Sequence, residues 1–203
     1  MKILVLDNYD SFTYNLVQYL REICDEPMDV FRNDAISLEE VDAYDTIVLS
    51  PGPGIPSQAG IMPELIKRYA PSKSIFGVCL GQQAIGEAFG GQLLNLTKVY
   101  HGIATSIVVT DPSEVLFDEL PNSFTVGRYH SWVVDRKGFP DELLVTSVDS
   151  EDTIMSLRHK THHVKGVQFH PESILTDHGK EMLQNFLKEA RQFQQRQQVP
   201  SVH

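Results

Sequence analysis

The sequence predicts an α/β fold, a single-domain open, mostly parallel sheet flanked by helices with additional antiparallel strands in the second half. Three observations carry this. In the first half, short runs of Val, Ile and Leu alternate with segments of helical period. Such alternation builds βαβ units, whose parallel strands are covered on both faces and so read as continuous apolar runs. In the second half, strand-like segments follow one another across short turns. A chain of 203 residues fits one domain and buries roughly 70% of its unfolded surface, so it needs no staples.

The elements follow in order. Ile3 to Leu6 is an apolar run closed by Asp7 and Asn8, the pattern of a strand buried on both faces. Phe12 to Ile23 carries Leu16, Val17, Tyr19, Leu20 and Ile23 at helical spacing. Met28 to Phe31 and Thr46 to Leu49 read as the second and third strands, and Gly60 to Tyr69 as a helix. Ile75 to Val78 is a fourth strand, running into a helix from Leu80 to Phe89. Gly102–Val109, Phe124–Val134, Leu143–Val148, Thr153–Arg158 and Val164–Phe169 read as strands that extend or flank the sheet. Lys180 to Gln194 returns to helical periodicity through Met182, Leu183, Phe186, Leu187 and Phe193. Residues 194–203 are polar and read as a disordered tail, which sets the domain at 1–193.

Composition excludes several classes. A net charge of −10 argues against a nucleic-acid partner, which calls for a basic face to neutralise phosphates. No stretch approaches the roughly 18 apolar residues of a membrane span, and the N-terminus lacks the features of a signal peptide. Two cysteines, Cys24 and Cys79, are too few for a disulfide framework and point to a reducing, cytoplasmic setting.

Of the two, Cys79 stands where a buried strand meets a helix, flanked by Gly77 and Gly81. Glycines permit a tight turn and close approach of backbone and substrate, and a helix N-terminus favours the reactive thiolate. Free cysteine is also a common buried residue, so a structural thiol is the competing reading. Cys24 lies late in an amphipathic helix without such a turn and reads as inert. A strand ending at His170 would bring an imidazole to the same sheet edge. Glu172 lies two residues on, so in extended backbone its carboxylate would point the same way and orient the ring, with Pro171 stiffening the link. Cys79, His170 and Glu172 thus form a nucleophile, base and orienter. Leu80 offers a backbone N–H for an oxyanion, and Ser50-Pro51-Gly52-Pro53-Gly54 offers only those of Gly52 and Gly54, although alone that segment reads as a rigid turn. His159, His162 and His163 are interleaved with Lys160 and Lys165 and read as a hairpin turn rather than a metal site. His130, in Tyr129-His130-Ser131-Trp132, competes for the base role but lacks a neighbouring acid.

Gly77-Val78-Cys79-Leu80-Gly81, Ser50 to Gly54 and Gln168-Phe169-His170-Pro171-Glu172-Ser173 together resemble class I glutamine amidotransferases, over nearly the whole chain. Asp7 to Asn15, Tyr100-His101-Gly102 and Gly127 to Ser131 resemble a narrower branch, component II of anthranilate synthase and the glutaminase subunit of aminodeoxychorismate synthase. The resemblance implies that Cys79 attacks the side-chain amide of L-glutamine and that His170 protonates the departing ammonia. It implies that Gly52, Pro53, Gly54, Gln83, Ser131 and Trp132 hold glutamine, with Leu80, Gly54 and Gly52 as the oxyanion hole. Ammonia would pass to a chorismate-binding large subunit, anthranilate synthase component I. No cofactor is expected in this chain, and Mg2+ is expected in that partner. The folate-branch synthase is the nearest alternative, alone or shared; the others are a stand-alone γ-glutamyl hydrolase and a non-enzymatic binding subunit. Two positions depart from the family pattern: Gln82 replaces a histidine, and Ile103 a lysine. Neither is a triad member, so activity is expected to survive and the consequence of Ile103 to fall on partner choice.

Overall fold

The computed structural model describes residues 1–198. In chain order its elements are β1 (Ile3–Asp7), α1 (Thr13–Ile23), β2 (Met28–Arg32), α2 (Leu38–Val41), β3 (Thr46–Leu49), α3 (Met62–Tyr69), β4 (Ser74–Val78) and α4 (Leu80–Ala88). There follow β5 (Leu93–Asn95), β6 (Ile103–Val109), β7 (Ser123–Arg128), β8 (Trp132–Val134), β9 (Leu143–Val148), β10 (Ile154–His159), β11 (Val164–Val167) and α5 (Gly179–Gln198).

Among the described residues the main sheet has nine strands in the order β2-β1-β3-β4-β11-β10-β9-β6-β7. The first five are parallel and the remainder join antiparallel, as the two halves of the sequence predict. The period of two sorts the core. Leu4 and Leu6 face the layer holding α3 and α4, while Ile3 and Val5 face α1 and α5. Each such fully buried aliphatic side chain stabilises the fold by about 1.5–3 kcal/mol, which is why β1, β3 and β4 carry no exposed residue. The C-terminal ends of β1, β3, β4 and β11 lie along one edge, bringing Asn8, Ser50, Cys79 and Gln168 together. In open α/β sheets that edge is where sites form.

Several boundaries differ from the sequence reading. The predicted strand 124–134 is broken. β7 stops at Arg128, and β8 pairs with β5 in a separate two-stranded sheet. Between them the carbonyls of His130 and Ser131 accept N–H bonds from Tyr100 and Leu96, at 2.9 and 2.7 Å. Helix α2 is an addition to the elements read from sequence, although its signal stands there. Ser37 and Glu40 form a capping box, each side chain taking the other's backbone N–H. Gly60 precedes α3 rather than opening it. At its φ of +52° a Cβ would sit 2.3 Å from the Asn33 carbonyl oxygen. The expected tail begins as helix instead, because α5 continues to Gln198 and Gln194 Nε2 donates to the Asp45 carbonyl at 2.9 Å. Residues 199–203 of that tail lie outside the described residues. No described helix is long and apolar enough to cross a membrane.

Candidate active site

Cys79 is the cap between β4 and α4, with φ 52° and ψ −99°. A non-glycine residue at positive φ is strained, and a strained strand-to-helix turn is how α/β enzymes raise a nucleophile above the sheet. The turn closes only because its glycines lack side chains. A Cβ on Gly77 would lie 2.5 Å from the Gly81 carbonyl carbon, and one on Gly81 2.8 Å from the Leu49 oxygen. Cys79 N–H donates to Val167 O at 2.8 Å, tying the turn to β11. Its side chain is buried, with the residue 5% exposed. Leu80 opens α4, so its N–H has no partner within the helix.

His170 lies three residues beyond β11, not at its end. Glu172 reaches it through a turn rather than extended backbone, since Ser173 N–H donates to His170 O at 3.1 Å. Pro171 occupies the second position of that turn, where its fixed φ suits it. The outcome for the side chains is the one expected. His170 Nδ1 meets Glu172 Oε1 at 2.7 Å with both groups buried. Burial opposes the imidazolium, but the Glu172 charge, joined by the Cys79 sulfur, outweighs it and holds the His170 pKa well above 6.5. Nε2 makes no hydrogen bond of good geometry, as is common for catalytic pairs before substrate binds. Phe12 and Tyr129 close on the ring at centroid distances of 5.4 and 4.8 Å.

A cavity of about 230 Å³ opens at Cys79. Gly52, Pro53, Gly54, Gln83, Ser131 and Trp132, the six residues expected to hold substrate, all line it, joined by Tyr129 and His130. That volume is below the usual range for drug-sized ligands and suits a small metabolite. Gly52 fits beneath Asn8 and Leu80, where a Cβ would come within 2.6 Å of Asn8 Cβ and 2.7 Å of Leu80 Cδ2. The carbonyls of the Ser131–Trp132 segment are already engaged. Ser131 O accepts from Leu96 N at 2.7 Å, and Trp132 O accepts from Gln83 Nε2 at 2.8 Å. Gln82 is fully buried in the helix after Cys79, its Nε2 3.5 Å from Ile154 O. Ile103 begins β6 and is exposed.

Sequence reasoning missed the residues that brace this pocket. Asn8 donates through its N–H to Ser50 Oγ and through Nδ2 to Ser50 O, each at 2.8 Å, and accepts from Asn33 Nδ2 at 3.0 Å. Asp7 to Asn15 reads from sequence as a branch marker, yet Asn8 props the Gly52 loop and Phe12 covers His170. The available signal is position, since Asn8 closes β1 at the same edge as Ser50 and Cys79. His130 borders the cavity against a cation: Arg128 Nε donates to its Nε2 at 3.1 Å. Burial first, then Arg128, push its pKa down to about 3. Burial and Glu26 push the Cys24 thiol up to about 11. His159 Nδ1 accepts the N–H groups of Thr161 and His162, and His163 stacks between Phe186 and Phe193. These histidines shape a turn and a packing contact, and no described cluster is arranged to hold a metal.

A cysteine on a strained turn, a buried imidazole–carboxylate pair and a small adjoining cavity lie together at one edge of an α/β sheet. The chain belongs to the class-I glutamine amidotransferase family, whose description matches residues 4–190. It is 49% identical over 194 residues to anthranilate synthase component 2 of Pseudomonas aeruginosa, covering 92% of this chain and 95% of that one. It is 46% identical to aminodeoxychorismate/anthranilate synthase component 2 of Bacillus subtilis, covering 93% and 97%. Among solved structures it matches a putative GMP synthase protein from Thermoplasma acidophilum with a TM-score of 0.88, 27% identity and 98% coverage of both chains.

Proposed function

We infer that this chain is the glutaminase subunit of anthranilate synthase, and that Cys79, His170 and Glu172 carry out the hydrolysis. The Cys79 proton passes to His170 Nε2 and the thiolate attacks the side-chain carbonyl carbon of L-glutamine. The N–H groups of Leu80, Gly52 and Gly54 receive the oxyanion. As the C–N bond breaks, His170 returns its proton to the leaving nitrogen and ammonia departs. Water, deprotonated by His170, then cleaves the thioester, releasing glutamate and restoring the thiol. Glu172 holds the tautomer and stabilises the imidazolium. The observation that carries this reading is the 2.7 Å His170–Glu172 pair beside a strained Cys79 that shares one cavity with all six expected substrate residues.

Ammonia would be consumed by a chorismate-binding large subunit, which would hold the Mg2+ the synthase reaction requires; this chain would use no cofactor and work in the cytoplasm. The similarity to component 2 of Pseudomonas aeruginosa favours the tryptophan branch. The Bacillus subtilis relative, whose name joins both synthases, supports a second reading in which the chain also serves aminodeoxychorismate synthase. Mixing the chain with each large subunit, chorismate and glutamine, then identifying the aminated product, separates the two. Cys79→Ser should abolish glutamine-dependent synthesis and leave ammonia-dependent synthesis intact; loss of both in a folded, assembled complex refutes the division of labour. Glutamine turnover undiminished without any large subunit would instead support a stand-alone hydrolase.

A further inference from the structure

Gln168 is fully buried, and its side-chain nitrogen lies 3.5 Å from Cys79 Sγ. A primary amide can turn either a donor or an acceptor toward that sulfur, and only the donor favours the thiolate. The neighbours decide which. The Trp132 main-chain carbonyl can only accept, so Gln83 turns its NH2 toward it, at 2.8 Å. The second N–H of that NH2 reaches Gln168 Oε1 at 3.3 Å. With Oε1 committed, the Gln168 NH2 must face sulfur.

The far end of the chain is anchored as firmly. Trp132 O is also contacted by His130 Nδ1 at 3.1 Å. Arg128 Nε is a donor only, so the His130 Nε2 that it meets carries no proton, and the neutral ring bears its proton on Nδ1, donating to Trp132 O. Arg128 is itself held by Asp149 at 2.6 Å and by the Tyr100 ring, 3.6 Å from its guanidinium carbon. Reversing any one amide would set donor against donor or acceptor against acceptor.

We propose that Gln168 is a catalytic residue whose side-chain N–H stabilises the Cys79 thiolate, with Gln83 and the Trp132 carbonyl as positioning groups that fix its polarity. The proposal deepens the reading of Cys79 as nucleophile and rests on it. A donor on sulfur raises the thiolate fraction at neutral pH more than it lowers nucleophilicity, since reactivity falls with only about 0.4–0.5 of the pKa change. It also receives the sulfur again as leaving group when the thioester is cleaved. Gln83 acquires a double role: both its amide hydrogens are spent on the relay, leaving Oε1 as its contribution to the substrate cavity.

The test reads the thiol directly. In a Cys24→Ser background, the rate of Cys79 alkylation by iodoacetamide is followed against pH, with neither glutamine nor a large subunit present. Gln168→Met keeps an unbranched side chain of similar length and removes the donor. Its alkylation midpoint should rise by about one pH unit, corresponding to about tenfold less thiolate below the midpoint. Gln83→Met, which frees the Gln168 amide to turn, should shift the midpoint in the same direction by less. In the assembled synthase, Gln168→Met should lower kcat for glutamine about tenfold at pH 7, recovering at higher pH, with KM little changed. A packing role would lower activity at every pH and leave the midpoint where it was. Wild-type midpoints in both variants, with circular dichroism unchanged, overturn the proposal. Glutamine hydrolysis by the wild-type complex judges the function separately, because the alkylation profile is read without substrate.

Discussion

Replacing Glu172 by glutamine keeps the side-chain volume and removes one charge at the base of the triad. The carboxylate oxygen lies 2.7 Å from His170 Nδ1, and the two side chains are 0% and 2% exposed, so solvent screens the pair little. Unit charges centred about 4 Å apart interact by about 4 kcal/mol at an effective dielectric of about 20. His130 shows what a buried imidazole does without such a partner: burial, with the Arg128 charge, drives it down to about 3. In Glu172→Gln, burial, already the largest influence on His170, loses the first of its counterweights, and the pKa falls. The thiolate loses its imidazolium, and the ring loses its tautomer anchor because an amide can present either end. We expect kcat/KM for glutamine to fall about 10²–10³-fold, read as glutamate release by the assembled synthase between about pH 6 and 9, with ammonia-dependent synthesis as the control for docking. A kcat/KM within about threefold of wild type, or an unshifted pH profile, refutes the reasoning. The sign in stability is also determined. Since the folded-state pKa of His170 lies above its unfolded value, this pair's contribution is complete below about pH 6.5 and decays as pH rises through the folded value.

His130 has the opposite sign. Its folded pKa of about 3 lies below the unfolded value of about 6.5, so the unfolded chain takes up a proton that the fold refuses, and stability falls as pH drops through that window. Between about pH 7 and 4.5, urea unfolding of His130→Gln should show a loss smaller than wild type by about 2.5 kcal/mol; equal losses count against it. Asp149→Ala leaves the Arg128 guanidinium, 1% exposed, without its partner and frees the N–H groups of Glu151 and Thr153. Chemical denaturation should show a loss of about 3–5 kcal/mol, since an uncompensated buried charge dominates. Gly52→Ala forces a Cβ to within 2.6 Å of Asn8 Cβ. The displaced loop should lower kcat for glutamine about 10²–10³-fold, as loss of an oxyanion donor does; undiminished kcat would place the oxyanion donors elsewhere.

Much of the fold is legible because burial on both faces writes itself into single strands. Ile3–Leu6, Thr46–Leu49 and Ile75–Val78 are almost wholly apolar, and all are parallel and fully buried. The break at Tyr129–Ser131 is not legible, since the residues on either side are individually good strand formers. What breaks it is Tyr100 and Leu96, about thirty residues earlier, claiming the carbonyls of His130 and Ser131. The sequence predicts the reach of Glu172 to His170 through the wrong local geometry: a turn at Pro171, not an extended strand, brings the carboxylate to 2.7 Å from the ring.

The sequence by itself determined which residues could do chemistry and which edge would hold them. A cysteine between glycines, a histidine with a nearby acid and a Gly-Pro loop each follow an apolar strand, and such local signals survive in one dimension. Only the tertiary structure decided polarity. That Gln168 shows sulfur its NH2, and that His130 is neutral with its proton on Nδ1, depend on Arg128, Trp132 and Gln83 meeting across elements remote in the chain. An amide or imidazole carries both a donor and an acceptor in its composition, and only its packed neighbours choose between them.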